Sequence, residues 1–504
     1  MEERVKIPVS LPRDNPTVSY WQDQPDDIAD LRTTLELPEE ADIAIIGSGI
    51  SGASVAYNIL SRAPSTNIVM LEARQACSGA TGRNGIDTFS IRPFDLIFRC
   101  YIWQYSIRTS TGDWNANDKH PIFALLGGHT KAASYTTFLE HVESLGLEEA
   151  IKVARLEYNT ISAVHAFAKE KGIPCDSTLR ETVDIVYDQE DWDTSVRAIE
   201  LMRKSMPGDP ASKYTFLSAQ EAEERFLCKG AIGAITYEAG SVSAYKFVIG
   251  ILRLCLERGL NLQTGTPVTA LQQGNDSEGG SWMVTTPRVS IRASKVVLAT
   301  NAYTAAIYPK LHGMIVPLRG QITAHRPGSN MPKPGLGVTY SFRHSEGYDY
   351  MIPCPQGSKH PGCIIIGGGY TQDGTKGLSQ YGSTDDTVCD PLVSNYLTAS
   401  TARYFGENWG PDDPAGRIRR EWTGIMGYSA DGCPLIGELP GENGLYIMAS
   451  FQGHGMVLCF LCARALTHIL FGDDENELYA WFPRAYKVTP ARMKLKFDGS
   501  SYKI

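Results

Sequence analysis

An α/β fold, with a doubly wound parallel unit interleaved with an α+β unit, is predicted by three features of the sequence. The first is an apolar, β-branched run, Asp42-Ile43-Ala44-Ile45-Ile46, that passes through a glycine turn into a helical stretch from Ala53 to Ser61 and then into a second apolar run, Asn67 to Leu71. Short β-branched runs joined by a helix read as β-α-β. The second is the return of strand-like runs between 260 and 300, ending in Lys295 to Thr300, and again at Leu445 to Ala449, before an apolar helix from Met456 to Leu470. The third is the stretch 313–370, which alternates and is rich in Tyr, Gly and Pro, the pattern of an antiparallel sheet. Helical patterns fill Ser134 to Glu170, Trp192 to Met206 and Ser218 to Arg225. Pieces of the doubly wound unit therefore lie at both ends and in the middle of the chain, with the other unit between them.

At 504 residues the chain exceeds what one hydrophobic core usually supports. A net charge of -9, with no block of Lys or Arg, removes the field that a phosphate backbone needs, so nucleic acid is excluded as a partner. The eleven cysteines are odd in number and scattered without zinc-type spacing, which predicts no metal site and a reducing compartment. No apolar leader follows Met1-Glu2-Glu3-Arg4, and no window holds the roughly 18 apolar residues of a membrane span. A cytoplasmic protein without a membrane partner is expected. The end, Ser501-Tyr502-Lys503-Ile504, falls short of a Ser-Lys-Leu peroxisomal address, which leaves the peroxisome as the second expectation.

The turn Gly47-Ser48-Gly49-Ile50-Ser51-Gly52 has the spacing of a dinucleotide cradle. Its first glycine permits the sharp turn, the second lets amides such as those of Ile50 and Ser51 approach a pyrophosphate, and the third lets helix and strand pack closely. Glu72 ends the next strand about twenty residues later, where a carboxylate grips a ribose hydroxyl and disfavours a 2′-phosphate, so FAD or NAD is preferred over NADP. The plain alternative, a glycine-rich surface turn with Glu72 as a solvated charge, does not account for the β-α-β context. After Glu72-Ala73-Arg74 comes Cys77-Ser78-Gly79-Ala80-Thr81-Gly82-Arg83-Asn84-Gly85, a small-residue loop that a bare nicotinamide fold does not need. Late in the chain, Trp422-Thr423-Gly424 and Asp431-Gly432-Cys433-Pro434 precede Gly453-His454-Gly455-Met456, which opens a helix. Amides and dipole at such a helix start stabilise negative charge on a bound group. Cys459 and Cys462 fall in the apolar helix that follows and read as core residues.

The turn, the loop and the C-terminal segment together resemble the D-amino-acid oxidase/sarcosine oxidase-like (DAO) FAD-dependent oxidoreductases, over nearly the whole chain. Within them they are most similar to the fungal branch with an N-terminal Asn-Pro-Thr arm like Asn15-Pro16-Thr17. The resemblance implies a Rossmann-type FAD-binding domain interleaved with an α+β substrate domain carrying a mixed or antiparallel sheet. The expected division is an N-terminal extension (1–40), a discontinuous FAD-binding domain (41–85, 128–175, 230–312 and 415–475), an atypical insert (86–127), a substrate domain (176–229 and 313–414) and a C-terminal tail (476–504). FAD contacts are expected from Gly47, Gly49, Ile50, Ser51, Gly52, Glu72, Ala73, Arg74, Ser78, Thr81, Gly82, Arg83, Asn84, Gly85, Val268, Thr300, Asn301, Gly453, His454, Gly455 and Met456. The cysteine that carries flavin covalently in sarcosine oxidases would align near Gly424, so the FAD is expected to be non-covalent.

The implied reaction is oxidation of a C–N bond of a small amine or amino acid to an imine that then hydrolyses, with molecular oxygen as acceptor. Candidate catalytic residues are Arg319, His454, His129 and Tyr350, with Tyr340, Arg343, His344 and Tyr348 as further substrate-facing candidates. The plain readings are a structural ion pair for Arg319, structural hydrogen bonds for His454 and surface positions for the tyrosines. The lysine that activates oxygen in the relatives would fall at Ile365, so oxygen rests on the resemblance alone. An FAD monooxygenase, a nicotinamide-linked dehydrogenase and an inactive flavin fold are the competing readings. In the relatives the flavin loop continues Gly-Arg-Asn-Gly-Gly-His, whereas here Gly85 leads into Ile86-Asp87-Thr88 and the fitting continuation is Gly128-His129. Residues 86–127 read as a translated intron, with a genuine loop insertion as the alternative. Transcript sequencing is expected to find messages that join codon 85 directly to codon 128; uniform reads through the insert would reject the intron.

Overall fold

The computed structural model describes residues 1–84, 129–274, 280–333, 335–345 and 347–497. Gly85 and the insert 86–127 lie outside the described residues, as does the end of the C-terminal tail. The first sheet runs in the order Leu435–Glu438, Leu445–Ala449, Ser290–Leu298, Glu40–Ile46, Ile68–Leu71, Asn261–Gln263. Every neighbouring pair is parallel except the outermost, where Leu435 pairs antiparallel with Ala449. A hairpin of Ala270–Gln273 and Trp282–Thr285 extends it from the side of Ser290–Leu298. Ala44 and Ile45 in the central strand are wholly buried, which is why the run reads as continuously apolar instead of alternating. Helices Ile50–Arg62, Ala244–Leu256 and Gly455–Phe471 pack together beside this sheet, and Leu147–Glu170 packs on the last of them. Cys459 and Cys462 are buried in this layer, as their apolar surroundings predicted.

The second sheet runs Ile418–Ser429, Ile315–His325, Ile364–Gly368, Gly347–Pro353, Thr339–His344, Thr178–Val186, Gly233–Ser241, His129–Thr130. It is antiparallel except where Thr339–His344 runs parallel to Thr178–Val186. Strands His129–Thr130, Gly233–Ser241 and Ile418–Ser429, which the expected division places with the dinucleotide unit, hydrogen-bond into this second sheet. Their partners are remote in sequence, so no local pattern assigns them. Ile418–Ser429 matters most for the site, because it pairs along its length with Ile315–His325 and carries Ile425 toward the first sheet.

The two faces of the second sheet differ. One is apolar and covered by helices Ala219–Phe226 and Pro391–Phe405, with the Phe342 ring stacked on Tyr404 at 3.6 Å. The other carries charge in a dry environment: Lys131, fully buried, donates to Asp184 and to Ser341 Oγ. Asp184 also accepts from Tyr135 Oη at 2.5 Å and Tyr237 Oη at 2.8 Å, while Arg343 donates to Tyr135 Oη at 2.6 Å and pairs with Asp191. Buried charges persist only when paired and hydrogen-bonded in this way.

Several histidines sit where their surroundings disfavour the charged form. Burial pulls His141 and His165 down to about 4 and His325 to about 3. Because the unfolded chain takes up these protons first, stability is lost as pH falls from the ordinary histidine range toward 4, at about 1.4 kcal/mol per pH unit for each proton. His325, held between Thr323 Oγ1 and Thr401 Oγ1 at 2.8 Å each, provides the check. Urea unfolding is expected to weaken steadily from pH 6.5 to 4.5, and His325→Gln is expected to flatten the slope by about one proton; a pH-independent midpoint would reject this account.

Candidate functional site

The glycine turn closes between the strand Glu40–Ile46 and the helix Ile50–Arg62. Gly47 takes φ +103°, and a Cβ there would lie 2.7 Å from the carbonyl oxygen of Ala299. A Cβ on Gly52 would lie 1.9 Å from the Gly47 oxygen, so the third glycine is a packing requirement and not a wall of the site. Gly49, the residue before the helix, leaves only the Thr81 hydroxyl at 3.1 Å from its Cβ position, and that hydroxyl accepts from the Ile50 amide at 3.1 Å. Glu72 is aimed by backbone: one oxygen accepts from Ser48 N at 3.0 Å and Ser48 Oγ at 2.6 Å, the other from Arg74 N at 3.0 Å. Ser48 Oγ accepts in turn from Cys77 N at 2.9 Å, which ties the small-residue loop to the turn.

These elements line a cavity with about 1220 Å³ of empty space, the open solvent at its mouth included. Of the expected cofactor residues, Gly47, Gly49, Ile50, Ser51, Glu72, Ala73, Arg74, Thr81, Asn84, Val268, Thr300, Asn301, Gly453, Gly455 and Met456 line it. Gly52, Ser78, Gly82, Arg83 and His454 do not. Gly82 is a packing glycine like Gly52, its Cβ position lying 2.0 Å from Cys77 O. The far end is a strained turn in which Ser450 and Gln452 take φ of 62° and 51° ahead of Gly453 at 81°. Positive φ in such residues costs energy that surrounding bonds must repay. Asn301, itself at φ 46°, holds the turn by accepting from Ser450 N at 2.8 Å through Oδ1.

Arg83 is a strut. Its side chain is 3% exposed, donates to Ser78 O at 2.9 Å, Thr17 Oγ1 at 3.2 Å and Thr423 O at 3.0 Å, and lies 3.7 Å from Asp386. Arg74 grips the same carboxylate at 2.9 and 3.2 Å. Burial pulls the Arg83 guanidinium down to about 10, a drop that Asp386 opposes and Arg74 adds to.

None of the four catalytic candidates lines the cavity. Arg319 donates to Gln380 Oε1 at 2.8 Å and Asp385 O at 3.4 Å, an amide oxygen and a backbone carbonyl in place of the ion pair of its plain reading. His129 is buried at the sheet edge beside Thr339 and Thr182, and burial holds it well below its ordinary value. His454 turns into a second, polar cavity, with Nδ1 3.5 Å from Glu157 Oε1. Burial works against charge on Glu157, but the bonds from His454 and Ser134 outweigh it and keep the carboxyl below its usual range. Tyr350 is fully buried, opposite Ser341 and Gly367, in the apolar cluster that contains Phe451 and Met456 of the cavity wall. Tyr340 lies on the helix-covered face, its ring against Phe226 and Phe405, and Tyr348 Oη pairs with Ser341 Oγ at 2.7 Å. His344 stays at the sheet rim, 4.0 Å from Asp349.

Sequence reasoning missed Leu11, Pro12, Tyr303, Ile307, Ile425, Met426 and Phe451, which also line the cavity. Ile425 and Met426 directly follow the Trp422-Thr423-Gly424 signature and could have been found there. Leu11 and Pro12 sit in a coil arm that carries no periodic signal. Asn84 Oδ1 on the wall and Ser78 Oγ in the adjoining loop are buried without a partner among the described residues. A glycine cradle, a carboxylate fixed for ribose hydroxyls, unfilled polar atoms and a glycine-led helix start fit a flavin dinucleotide, and no His/Cys/Asp/Glu group suited to a metal ion occurs among the described residues.

Fold and cavity define a dinucleotide-binding α/β protein. The family described as FAD dependent oxidoreductase (DAO) matches residues 42–469, and the chain belongs to it. The probable oxidoreductase OrdL of Rhizobium meliloti (strain 1021) is 22% identical over 457 residues, covering 87% of this chain and 84% of that protein. The crystal structure of glycine oxidase from Geobacillus kaustophilus superposes with a TM-score of 0.62 at 17% identity, covering 90% of this chain and 99% of that one. That of L-proline dehydrogenase from P. horikoshii gives 0.61 at 19%, covering 90% and 100%. At these identities the two structures show the shared fold.

The Asp386 cluster yields a stability prediction. Asp386→Ala leaves Arg74 and Arg83 without their counter-charge and is expected to destabilise by about 3–5 kcal/mol in urea unfolding, with Asp386→Asn costing less. A change within about 0.5 kcal/mol for the alanine variant would show the cluster to be dispensable.

Proposed function

We propose that the chain oxidises a C–N bond of a small amine or amino acid to the imine, using FAD held non-covalently in the cavity and molecular oxygen as acceptor. One observation carries the reading: a single cavity brings together the Gly47–Gly49 cradle, the Glu72 carboxylate and the Gly453–Met456 helix start. Proteins of the same fold named glycine oxidase and L-proline dehydrogenase support the substrate class. FAD, when bound, supplies the two-electron acceptor. The chain's own contribution would be positional: the Ser51 amide at the helix start would hold the pyrophosphate, Glu72 the ribose hydroxyls, and the amides of Gly455 and Met456 would offset negative charge at the pyrimidine edge. Ile425 and Met426 of the second sheet line the cavity and supply apolar wall where a substrate carbon would sit.

Two side chains bear on the finer points. Cys459 is the cysteine on the cavity wall; burial pushes its thiol up to about 12, partly offset by the Ser51 hydroxyl at 3.5 Å, which supports non-covalent binding. Ile365 is fully buried where the resemblance places an oxygen-activating lysine. That position supports a second reading, a dehydrogenase that passes electrons to a carrier instead of oxygen. Among the described residues ten cysteines are free, which supports a reducing compartment such as the cytoplasm, and no helix is long and apolar enough to cross a membrane.

The purified protein is expected to be yellow, to lose its flavin into the supernatant on acid precipitation, and to bleach anaerobically with an amine or amino acid. Reduction by NADPH or alcohols but by no amine would overturn the assignment, and flavin retained in the pellet would overturn non-covalent binding. Reoxidation of the reduced enzyme by oxygen, timed against an artificial dye, separates oxidase from dehydrogenase. Glu72→Gln is expected to weaken FAD binding about tenfold or more, the loss of charge-assisted hydrogen bonds to ribose.

A further inference from the structure

The family match begins at residue 42, yet the cavity wall includes Leu11 and Pro12. The arm that carries them is tied down along its length by groups from two separate places in the fold. On the side of the second sheet, Arg4 Nε donates to Tyr381 O at 2.7 Å, Ser10 Oγ shares a hydrogen with Thr384 Oγ1 at 2.6 Å, and Arg13 pairs with Asp385 at 2.7 Å. Thr17 N donates to Asp386 O at 2.8 Å, and Thr17 Oγ1 accepts from Thr423 N at 3.0 Å. On the side of the small-residue loop, Ser19 Oγ donates to Gly82 O at 2.7 Å and Trp21 Nε1 to Asn84 O. Arg74, which lines the cavity, donates to Arg13 O at 3.0 Å.

Leu11 and Pro12 lie between the Ser10 and Arg13 anchors. They share the wall with Glu72, Ala73, Arg74 and Val268, and Leu11 packs on the apolar cluster that holds Leu71, Val268 and Ile307. The pair thus shares the cavity with the carboxylate suited to a ribose, and Leu11 packs on the apolar cluster that includes Leu71, the residue before that carboxylate. A coil arm held in one place loses conformational entropy, and terminal segments stay ordered only where they are tied down. Here the ties bracket two apolar residues against the cavity.

We propose that residues 1–22 are a component of the cofactor site, with Leu11 and Pro12 forming an apolar wall against the adenosine half of FAD. The inference rests on the reading that this cavity takes FAD. It has a thermodynamic corollary: a ligand that binds only with the arm docked makes undocking harder.

The test uses the full chain, stripped of flavin, and titrates it with FAD and with ADP, which carries the adenosine half alone. Leu11→Asp is expected to raise the dissociation constants of both by about tenfold or more, and Leu11→Ile to restore them. In the unsubstituted protein FAD is expected to slow tryptic cleavage after Arg13, a measurement that stands even if Leu11→Asp misfolds. Unchanged FAD and ADP affinities in a folded Leu11→Asp protein, or cleavage after Arg13 indifferent to FAD, would overturn the role of the arm. Failure of the unsubstituted protein to bind either nucleotide would instead strike at the reading of the cavity, and the arm's role would fall with it.

Discussion

The carboxylate of Asp386 is the point on which the site depends. Its side chain is 1% exposed and faces the guanidinium groups of Arg74 and Arg83, so two positive charges share one negative charge away from water. The excess charge is tolerated because carbonyl oxygens of Arg13, Ser78 and Thr423 and the Thr17 hydroxyl accept further hydrogen bonds from the two guanidinium groups. Those acceptors come from the arm, the small-residue loop and a strand of the second sheet. A buried guanidinium without such acceptors is costly, so the segments must arrive together or not at all. The cluster therefore does for the seam between the two sheets what a hydrophobic core does within each.

Around this anchor the two ends of the cavity are built by different means. At one end the glycine turn needs absent side chains, because the Ala299 oxygen stands 2.7 Å from the Gly47 Cβ position and the Gly47 oxygen 1.9 Å from that of Gly52. At the other end the chain accepts strain, with Ser450, Gln452 and Asn301 all at positive φ, and secures it as Asn301 Oδ1 accepts from Ser450 N at 2.8 Å and Gln452 Nε2 donates to Ser429 Oγ at 2.9 Å. Both devices place backbone amides, not side chains, on the cavity. The site can therefore be rich in donors while remaining mostly apolar.

The difference between the ends tracks what the sequence disclosed. The β-α-β segment was legible because a strand buried on both faces reads as an unbroken apolar run and because steric demands on glycine are local. Glu72 was legible from its place at the end of the next strand. The second sheet was legible in kind but not in membership: Gly233–Ser241 and Ile418–Ser429 are defined by partners far away in the chain. For the same reason Arg83 resembled a ligand until its contacts to Thr17, Thr423 and Asp386 were seen. The four catalytic candidates came from residue type and resemblance, and neither encodes which way a side chain turns at a sheet edge or strand. Leu11 and Pro12 carried no pattern because a coil's docking partners leave no periodic trace.

The interleaved topology also has a consequence for the making of the protein. Strand Leu445–Ala449 pairs with Ser290–Leu298, and helix Gly455–Phe471 packs on helix Ile50–Arg62. The first strand, its helix and the glycine turn thus leave the ribosome long before the last of their packing partners exists. At about 5–20 residues per second, some 400 residues of synthesis separate the two, a wait of roughly 20–80 seconds. Glu40–Ile46 can pair with Ile68–Leu71 early, but throughout the wait the face of Ile50–Arg62 that packs on Gly455–Phe471 lacks its native cover, the condition in which aggregation competes with folding. Maturation of this fold is thereby coupled to completion of the chain, and chaperone supply during that interval is a determinant of how much protein reaches the state in which it can take up its flavin.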